Sequence, residues 1–537
     1  MSSSYPQLSR VVRLLSMALL VLAVCFRFSH LDRKVYWHDE AYTSMVITAR
    51  PGRYLSEGLF QNKVVKPADL LAYQQFVPTL SLTDMLVRKG VEDAQHPPLY
   101  YLLLRFWAEL WGTSPTSTRG FTALLSLLMF PAVYWFCLEL FASSLIAWVA
   151  IALFAVSPFQ LVHAQEARQY GLWAVLSLAS SALLLRALRS SSWRNWVLYG
   201  VSMVLAFYTA LFAVWLAVGH FFYTLVVDEG NQLFKLPFRL GTRTVLYGVT
   251  LFVVMLLFTP WAYFIVTSGG LLGGTTSWIA VPLPLLVSVQ STIFNFSRSF
   301  VDFNFEFSDA IAYGLAIPIL VLQCYAMFVL CRRTPRRIWW FMLTFIGSTA
   351  LAFGLPDLLS GGQRFTVTRY IIPCFMGLQL AVAYLLATAL TALQRWKVQF
   401  AMLVFSFLIC LGIASCSVYV QSNTWWNKVL NSNYHQVAAI VNGSDRPLII
   451  TDSFGYNPAS MISLSYLLKP DAQFLLLPAV GNSFPIQTLP QGHNIFLLNL
   501  PEVFRRQFEA KYQQQLAPIF QDPWNELWKV QQPSSMP

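Results

Sequence analysis

Long apolar segments recur along this 537-residue chain, and most of them approach the length of a membrane-spanning helix. A helix needs about 20 predominantly apolar residues to cross a bilayer. Charged residues make up only 11% of the chain, whereas soluble domains contain about 25%. This composition excludes a soluble multidomain protein, and the 15% of aromatic residues exclude a disordered one. The chain is therefore predicted to be an α-helical polytopic membrane protein.

Eleven segments are predicted to span the membrane. The first, residues 11–28, follows Arg10 and Arg13 and lacks a small-residue cleavage site, so we interpret it as an uncleaved span with a cytoplasmic amino terminus. The other ten lie at residues 119–141, 143–160, 167–188, 195–210, 211–228, 243–266, 308–331, 337–356, 369–391 and 398–420.

Loop charges decide between this topology and one with a twelfth span. The apolar segment Pro98–Trp111 is short and contains Arg105 and Glu109, which favours an interfacial or re-entrant helix over a span. With eleven spans the most basic loops are cytoplasmic, as the positive-inside rule requires; the clearest example holds Arg332, Arg333, Arg336 and Arg337. The net charge of +12 therefore reflects topology and does not indicate a nucleic-acid partner.

Two larger pieces of the chain are predicted to lie outside the cell membrane. Loop 29–118 is assigned, with juxtamembrane helices, to a transmembrane domain at residues 1–424. Residues 425–537 alternate short apolar strands with helical patterns, which predicts a small extracytoplasmic α/β domain with a three-stranded parallel sheet. Trp425 and Trp426, at its start, are predicted to anchor the chain at the membrane interface.

An acidic pair, Asp39 and Glu40, follows the first span. Neighbours on a helix point about 100° apart, so both cannot face one substrate atom. One could act as a general base while the other orients a donor or braces the loop. Alternatively, either residue could simply stabilise the start of a helix predicted at residues 39–49.

His96 precedes Pro97 and Pro98, which are predicted to start the short interfacial helix. At a membrane surface this histidine could donate a hydrogen bond to a phosphate or a sugar hydroxyl. A lone histidine in a turn is more often structural, and both interpretations stay open.

Arg168 lies at the external start of a predicted span. A cation there opposes the helix dipole and lies beside hydrocarbon, so it requires an anionic partner. That partner could be an internal carboxylate such as Asp39 or the phosphate of a lipid substrate. A helix through this segment would place Gln165, Arg168 and Gln169 on one face and Glu166 and Tyr170 on another.

Arg369 and Tyr370 open a second span after the glycine pair Gly361 and Gly362. Two arginines at external span starts indicate a shared anionic ligand at that surface. The external loop with Thr275, Thr276, Ser277, Trp278 and Asn295 is polar and aromatic, as a sugar-binding lid or an interfacial belt would be.

These motifs together resemble the GT-C glycosyltransferases. The matching elements are an Asp-Glu pair after the first span, a His-Pro-Pro turn, a Gln-Glu-Ala-Arg-x-Tyr motif and an Arg-Tyr pair, at residues 39–40, 96–98, 165–170 and 369–370. The resemblance extends over about residues 10 to 420. It points to the family-39 branch, with protein O-mannosyltransferases, lipid A aminoarabinose transferases and rhizobial lipopolysaccharide-core transferases.

The resemblance implies transfer of a sugar from a polyprenyl-phosphate donor to an acceptor hydroxyl, with inversion at the anomeric carbon. By this resemblance Asp39 is the general base and Glu40 orients the first loop. Arg168, Arg369 and His96 would bind the donor phosphate; further substrate contacts would come from Gln165, Glu166, Tyr170 and Tyr370. No cofactor is required, although a divalent metal is possible, and no metal ligands are assigned.

The chain also departs from the family pattern. Many relatives have Tyr-Thr-His where this chain has Tyr208-Thr209-Ala210, and the tail is not the repeat domain of eukaryotic protein mannosyltransferases. A lipid or glycan acceptor is therefore favoured over a protein. The expected location is the bacterial inner membrane, with the active site and carboxyl terminus extracytoplasmic.

A transporter or flippase of lipid-linked sugars is the alternative from another class. Transporters usually show repeated halves and interrupted helices near the midplane, whereas the polar residues here gather at one predicted surface. A non-catalytic relative that serves in an assembly is a further alternative, against which the intact Asp39 and Arg168 argue.

Overall fold

A computed structural model describes residues 4–190, 192–229, 239–268, 277–305, 309–481, 483–486 and 488–531. The chain divides into two compact units. The first, here called the membrane unit, comprises Met1–Ser29, Asp93–Tyr100 and Arg119–Val420. The second, the sheet unit, comprises His30–Glu92, Tyr101–Thr118 and Gln421–Pro537. This division groups most of loop 29–118 with the carboxy-terminal region, whereas the sequence-based division placed that loop with the spans.

The described residues form helices from the amino terminus to the tail. In chain order they are α1 (Ser4–Phe28), α2 (His38–Ile47), α3 (Gly52–Leu59), α4 (Pro67–Leu71), α5 (Leu82–Glu92), α6 (Leu99–Trp111), α7 (Pro115–Ser126), α8 (Met129–Phe141), α9 (Ser144–Ala155), α10 (Pro158–Gln165), α11 (Tyr170–Ser190), α12 (Trp193–Thr209), α13 (Ala213–Val227), α14 (Thr242–Thr267), α15 (Leu285–Ser297), α16 (Ala310–Arg333), α17 (Arg336–Ser360), α18 (Ile372–Leu390), α19 (Arg395–Gln421), α20 (Tyr434–Asn442), α21 (Asn457–Ser465) and α22 (Glu502–Tyr512).

Within the described residues, eight helical segments are long and apolar enough to cross a membrane. They are α1, α7 with α8, α11, α14, α16, α17, α18 and α19, and each coincides with a predicted span. A ninth predicted span, 143–160, is the pair α9 and α10, which bends by 62° at its break. The remaining two are helices α12 and α13, of 17 and 15 residues. Helix α6 is not among the spanning segments, in agreement with its short length and its charges.

The bend between α9 and α10 has a local cause. Ser157 is in an extended conformation and its hydroxyl accepts a hydrogen bond from the Gln160 N–H, so it caps α10. Pro158 then occupies the first turn of α10, where a missing N–H costs nothing. One apolar segment is thereby divided into two helices with different axes.

The most enclosed spans are α11 and α18, with 78% of the apolar segment buried in each. Both are apolar on nearly every side, as central helices of a bundle must be. Arg168 and Arg369 each lie just before one of these two helices. The rigid core of the membrane unit therefore positions both arginines.

The sheet unit contains one six-stranded sheet of order β1-β3-β2-β4-β6-β5. The central strands β2, β3 and β4 are parallel, as predicted, but the predicted number of three strands is wrong because the sheet has six. Antiparallel strands extend it at both edges. The bounds are β1 (Lys63–Val65), β2 (Pro447–Asp452), β3 (Gln473–Leu477), β4 (Asn494–Leu498), β5 (Leu516–Gln521) and β6 (Glu526–Val530).

Strand β1 comes from the loop at residues 29–118, and Val64 pairs with Leu475 of β3. Apolar clusters cover both faces of the sheet, as buried parallel strands require. One of these clusters includes Val35, Met45 and Leu55 from the same loop. This shared core is why the loop and the tail form one compact unit.

Candidate functional site

Asp39 and Glu40 occupy the first turn of α2 in the sheet unit. The buried Glu40 carboxylate accepts a hydrogen bond from the Trp37 backbone N–H at 2.9 Å. It thus satisfies one of the donors that a helix start leaves open. The neighbouring Asp39 is only half-buried. The two acids therefore differ in surroundings: Glu40 secures the helix start, and Asp39 keeps some solvent access.

Aromatic side chains hold the extended segment, residues 35–37, that precedes α2. The Trp425 indole N–H donates to the Val35 carbonyl at 2.7 Å, and the Trp37 indole donates to the Val429 carbonyl at 3.0 Å. Trp425 is only 1% exposed, so its predicted role as an interfacial anchor is wrong. A buried indole needs a partner for its N–H, and the first loop provides one.

His96 links an acid and an arginine in the membrane unit. The Arg168 Nη2 lies 3.1 Å from His96 Nε2, and His96 Nδ1 lies 2.6 Å from the Asp93 carboxylate. Because a guanidinium can only donate, His96 Nε2 accepts and its Nδ1–H donates to Asp93. The imidazole is therefore a neutral bridge between the two charges. Asp93 lies three residues before His96, a spacing that would have signalled this pair in the sequence.

The turn that carries His96 is fixed at both ends. The Trp261 indole on α14 donates to the Ala94 carbonyl at 2.9 Å. The Tyr100 hydroxyl lies 2.6 Å from the Thr122 hydroxyl on α7. These hydrogen bonds hold the segment before α6 against two long helices.

Arg168 is not on a helix, so the predicted distribution of residues 165–170 over two helical faces is wrong. Glu166 is extended and ends α10, Arg168 N–H donates to the Glu166 carbonyl at 2.7 Å, and α11 begins at Tyr170. A Cβ on Gly171 would lie 3.1 Å from the His163 carbonyl oxygen. This close approach of two backbones makes a turn, and the turn frees Arg168 from the helix geometry.

The other predicted residues of this motif are buried in the same turn. Gln165 donates to the Phe26 and Ser29 carbonyls at 2.8 and 2.9 Å, at the end of α1. Glu166 is 1% exposed, and its Oε2 lies 3.4 Å from His163 Nδ1. Gln165 therefore joins the turn to the first span, while the Glu166 carboxylate faces an imidazole.

The structure brings Arg168 and Arg369 together at Tyr170. Each guanidinium lies 5.9 Å from the centre of the Tyr170 ring. Arg369 also lies 6.0 Å from the Trp278 ring, in the loop predicted as a lid or belt. Thr275 and Thr276 of that loop lie outside the described residues. The Tyr370 ring packs 5.0 Å from Phe212 and so supports the Arg369 turn from behind.

The guanidinium groups of Arg168 and Arg369 lie beside the Tyr170 ring, and the neutral His96 holds Arg168; these four residues are here called the basic cluster. Arginine forks match the oxygen geometry of phosphate, and a neighbouring aromatic face stabilises a cation. Within the described ranges, no group of three or more His, Cys, Asp or Glu side chains is arranged to bind a metal ion. The cluster of Arg168, His96, Arg369 and Tyr170 is the candidate phosphate site.

Comparison with known proteins supports this fold. Residues 95–264 match a family model described as dolichyl-phosphate-mannose-protein mannosyltransferase. Two structures of ArnT from Cupriavidus metallidurans share the fold over 96% of this chain and 97% of that chain. The apo form has a TM-score of 0.51 at 12% identity. The form bound to undecaprenyl phosphate has a TM-score of 0.50 at 13% identity. No curated protein matches the chain in sequence.

The shared fold and the partial family match show a chain of many apolar helices with a GT-C-like fold. The resemblance predicted from the sequence motifs is thereby confirmed. The matched segment, residues 95–264, contains three members of the basic cluster: His96, Arg168 and Tyr170.

Proposed function

We propose that the protein transfers a sugar from a polyprenyl-phosphate-linked donor to a hydroxyl group of a lipid or glycan acceptor, with inversion. The observation that carries this proposal is the basic cluster of Arg168, His96 and Arg369 around Tyr170. A structure of similar fold was solved with undecaprenyl phosphate bound, which supports a ligand of that chemistry.

The basic cluster would act on the leaving group. As the bond between the anomeric carbon and the donor oxygen breaks, negative charge increases on the polyprenyl phosphate. Arg168 and Arg369 are fixed donors that can stabilise this charge without reorganisation. His96, fixed by Asp93, keeps the Arg168 guanidinium oriented. The two guanidinium groups supply positive charge to the departing phosphate, so the proposal includes no metal in this step.

Asp39 would act on the acceptor. Its carboxylate takes the proton of the acceptor hydroxyl as the hydroxyl oxygen bonds to the anomeric carbon. Its partial exposure is compatible with a base that must exchange protons with solvent. Glu40, whose carboxylate binds the Trp37 N–H, is assigned the neighbouring structural role.

The expected location is the inner membrane, with Asp39 and the tail on the extracytoplasmic side. A polyprenyl-linked sugar presented on the outer leaflet would reach residues there, whereas a cytoplasmic nucleotide sugar would not. The positive-inside pattern of the loops supports this orientation. The tail forms an α/β sheet unit and not the repeat domain of eukaryotic protein mannosyltransferases, so a lipid or glycan acceptor is favoured over a protein.

Purified protein in detergent tests the proposal. Radiolabelled undecaprenyl-phosphate sugars are incubated with a total envelope lipid extract and the wild type, Asp39→Asn or Arg168→Ala. We expect transfer by the wild type, loss of transfer in Asp39→Asn, and weakened binding of undecaprenyl phosphate in Arg168→Ala. Asp32→Asn, exposed in the same loop, and Arg189→Ala, at the far end of α11, serve as matched controls.

The flippase alternative predicts a different result in the same preparation. If no donor is consumed but labelled lipid crosses the bilayer of a liposome that contains the protein, the glycosyltransferase proposal fails. Transfer of label to an acceptor, lost with Asp39→Asn, excludes the flippase.

A further inference from the structure

Asn431 is a fully buried side chain in the tail that bonds the backbone on both sides of Trp37, two residues before Asp39. Its Oδ1 accepts from the His38 N–H at 3.1 Å, and its Nδ2 donates to the Tyr36 carbonyl at 3.4 Å. The side-chain amide of Asn431 thus bonds to Tyr36 and to His38, two residues apart, in the same pattern that a neighbouring parallel strand would use. All of these groups lie in the sheet unit.

Residues 423–429 of the tail make three more hydrogen bonds to this extended segment. The Val35 N–H donates to the Asn423 carbonyl at 3.4 Å, and its carbonyl accepts from the Trp425 indole. The Trp37 indole donates to the Val429 carbonyl. Residues 35–38 are therefore bound at four successive positions by residues 423–431.

The consequence concerns the direction of α2. His38 is its first residue and Asp39 its second, so a hydrogen bond to the His38 N–H fixes the backbone from which the Asp39 carboxylate extends. The Glu40 carboxylate fixes the first turn of α2 through the Trp37 N–H. Asn431 fixes it through the His38 N–H and the Tyr36 carbonyl. Residues 35–37 belong to no helix or strand, so their path depends on such hydrogen bonds.

We propose that Asn431 is a positioning residue for Asp39, so that the carboxy-terminal tail takes part in catalysis by orienting the base. This role depends on the proposed function, in which Asp39 is the general base. The tail is then an obligatory part of the catalytic machinery and not an accessory domain that only meets the acceptor.

A matched pair of asparagine variants tests the proposal. Asn442 makes the same kind of contact elsewhere in the sheet unit: its Nδ2 donates to the Leu467 carbonyl and its Oδ1 accepts from the Lys469 N–H, both at 2.9 Å. Asn431→Leu and Asn442→Leu each remove one such pair of bonds at similar side-chain volume. Asn431→Asp keeps an acceptor for the His38 N–H, and it covers the case in which Asn431→Leu does not fold.

Two measurements are made on the full-length protein in detergent. In transfer of label from undecaprenyl-phosphate sugars to envelope lipid extract, Asn431→Leu is expected to lower kcat by about 10- to 100-fold. The KM for the donor should stay within about twofold, since only positioning is lost. Asn431→Asp should recover part of kcat, and Asn442→Leu should match the wild type. Amide hydrogen exchange of the peptide at residues 33–42 should accelerate only in the Asn431 variants.

The outcomes separate the inference from the proposed function. If the wild type transfers sugar and Asp39→Asn does not, but Asn431→Leu is as active as Asn442→Leu, the positioning role is overturned and the proposed function stands. Unchanged exchange at residues 33–42 in Asn431→Leu overturns it as well. If the wild type transfers nothing, the proposed function fails first and the role of Asn431 fails with it.

Discussion

The two segments that carry the candidate site residues are held in place by different means. In the sheet unit, the extended segment before Asp39 is bound through its backbone by residues nearly 400 positions away. In the membrane unit, Arg168 lies in a short turn between consecutive helices α10 and α11, fixed by neighbours such as Gly171 and by His96. The first segment depends on long-range hydrogen bonds, and the second depends mainly on helix packing.

This difference separates two kinds of sensitivity. Substitutions near Asp39 are expected to change the orientation of this proposed base without loss of the bundle, because the bundle core lies in other residues. Substitution of Arg168 is expected to change the charge of the candidate phosphate site and not its shape, since the conformation of the turn is set by the flanking helices α10 and α11.

The largest effect is expected for Asp39→Asn. Loss of a general base typically lowers turnover by about 10²–10⁴-fold, and the half-buried side chain should leave the melting temperature unchanged. Glu40→Gln provides the comparison on the same helix turn, because glutamine still offers an oxygen to the Trp37 N–H. We expect it to lower transfer far less. Equal losses in the two variants would show that the acids do not have separate roles.

Arg369→Ala should weaken binding of undecaprenyl phosphate by about 10-fold or more, since a charge-assisted hydrogen bond contributes about 1.5–3 kcal/mol. Arg364→Ala is the matched control in the same loop, because Arg364 is already bound to Asp357 at 2.8 Å. Titration of detergent-purified protein with undecaprenyl phosphate measures both affinities. Equal weakening by the two variants would contradict a specific phosphate site at Arg369.

Packing in the membrane unit can be tested at a buried amide pair. Gln160 Nε2 donates to Gln379 Oε1 at 3.1 Å, and Gln379 donates to the Ser299 carbonyl at 2.8 Å. Gln379→Leu leaves the Gln160 amide buried without this acceptor, which should cost about 1–3 kcal/mol of stability.

The double variant Gln160→Leu with Gln379→Leu should recover part of this loss, because no orphaned amide remains and the Ser299 carbonyl keeps the Ser157 hydroxyl. Thermal unfolding in detergent compares the three proteins. A double variant less stable than Gln379→Leu would show that the helices need these bonds more than their apolar contacts.

The smallest effect concerns pH and the sheet unit. Burial lowers the pKa of His435, while a hydrogen bond to the Arg33 carbonyl opposes that shift. The unfolded chain, with a histidine pKa near 6.5, binds the proton more readily than the folded chain. Stability should therefore fall as pH decreases below about 6.5, until the lowered folded pKa is passed.

His435→Gln should flatten this slope, which unfolding midpoints between pH 7.5 and about pH 5 measure. Because His435 is partly exposed, the slope should be shallow. An identical slope in the variant would assign the pH dependence to another group.

Sequence reasoning predicted the membrane class, the position of the spans and the parallel core of the sheet. Apolar length and loop charge are local properties, so they appear in the chain without any knowledge of its folding. The motifs around Asp39, His96, Arg168 and Arg369 were visible for the same reason. Whether each of these residues performs its assigned chemical role stays a prediction.

Other features required the fold. The sequence predicted a helix through Arg168, because Glu166 and Gln169 are acceptable in a helix, and the close contact at Gly171 that forces a turn involves a different helix. Trp425 looked like a membrane anchor because it follows the last span, yet it is buried against Val35. In both cases the deciding partner lies far away or on another element.

The amino-acid sequence by itself determined that this is a membrane protein and roughly where its apolar spans lie. It also showed which few polar residues lie at the ends of those spans. Only the tertiary structure decided that Arg168 contacts His96, that Arg168 and Arg369 both lie beside Tyr170, and that the tail binds the extended segment before Asp39. The physical reason is the distance along the chain over which each effect can be read. Hydrophobic length acts within one segment, whereas hydrogen bonds and cation–aromatic contacts act only between groups that folding has already brought within a few ångströms.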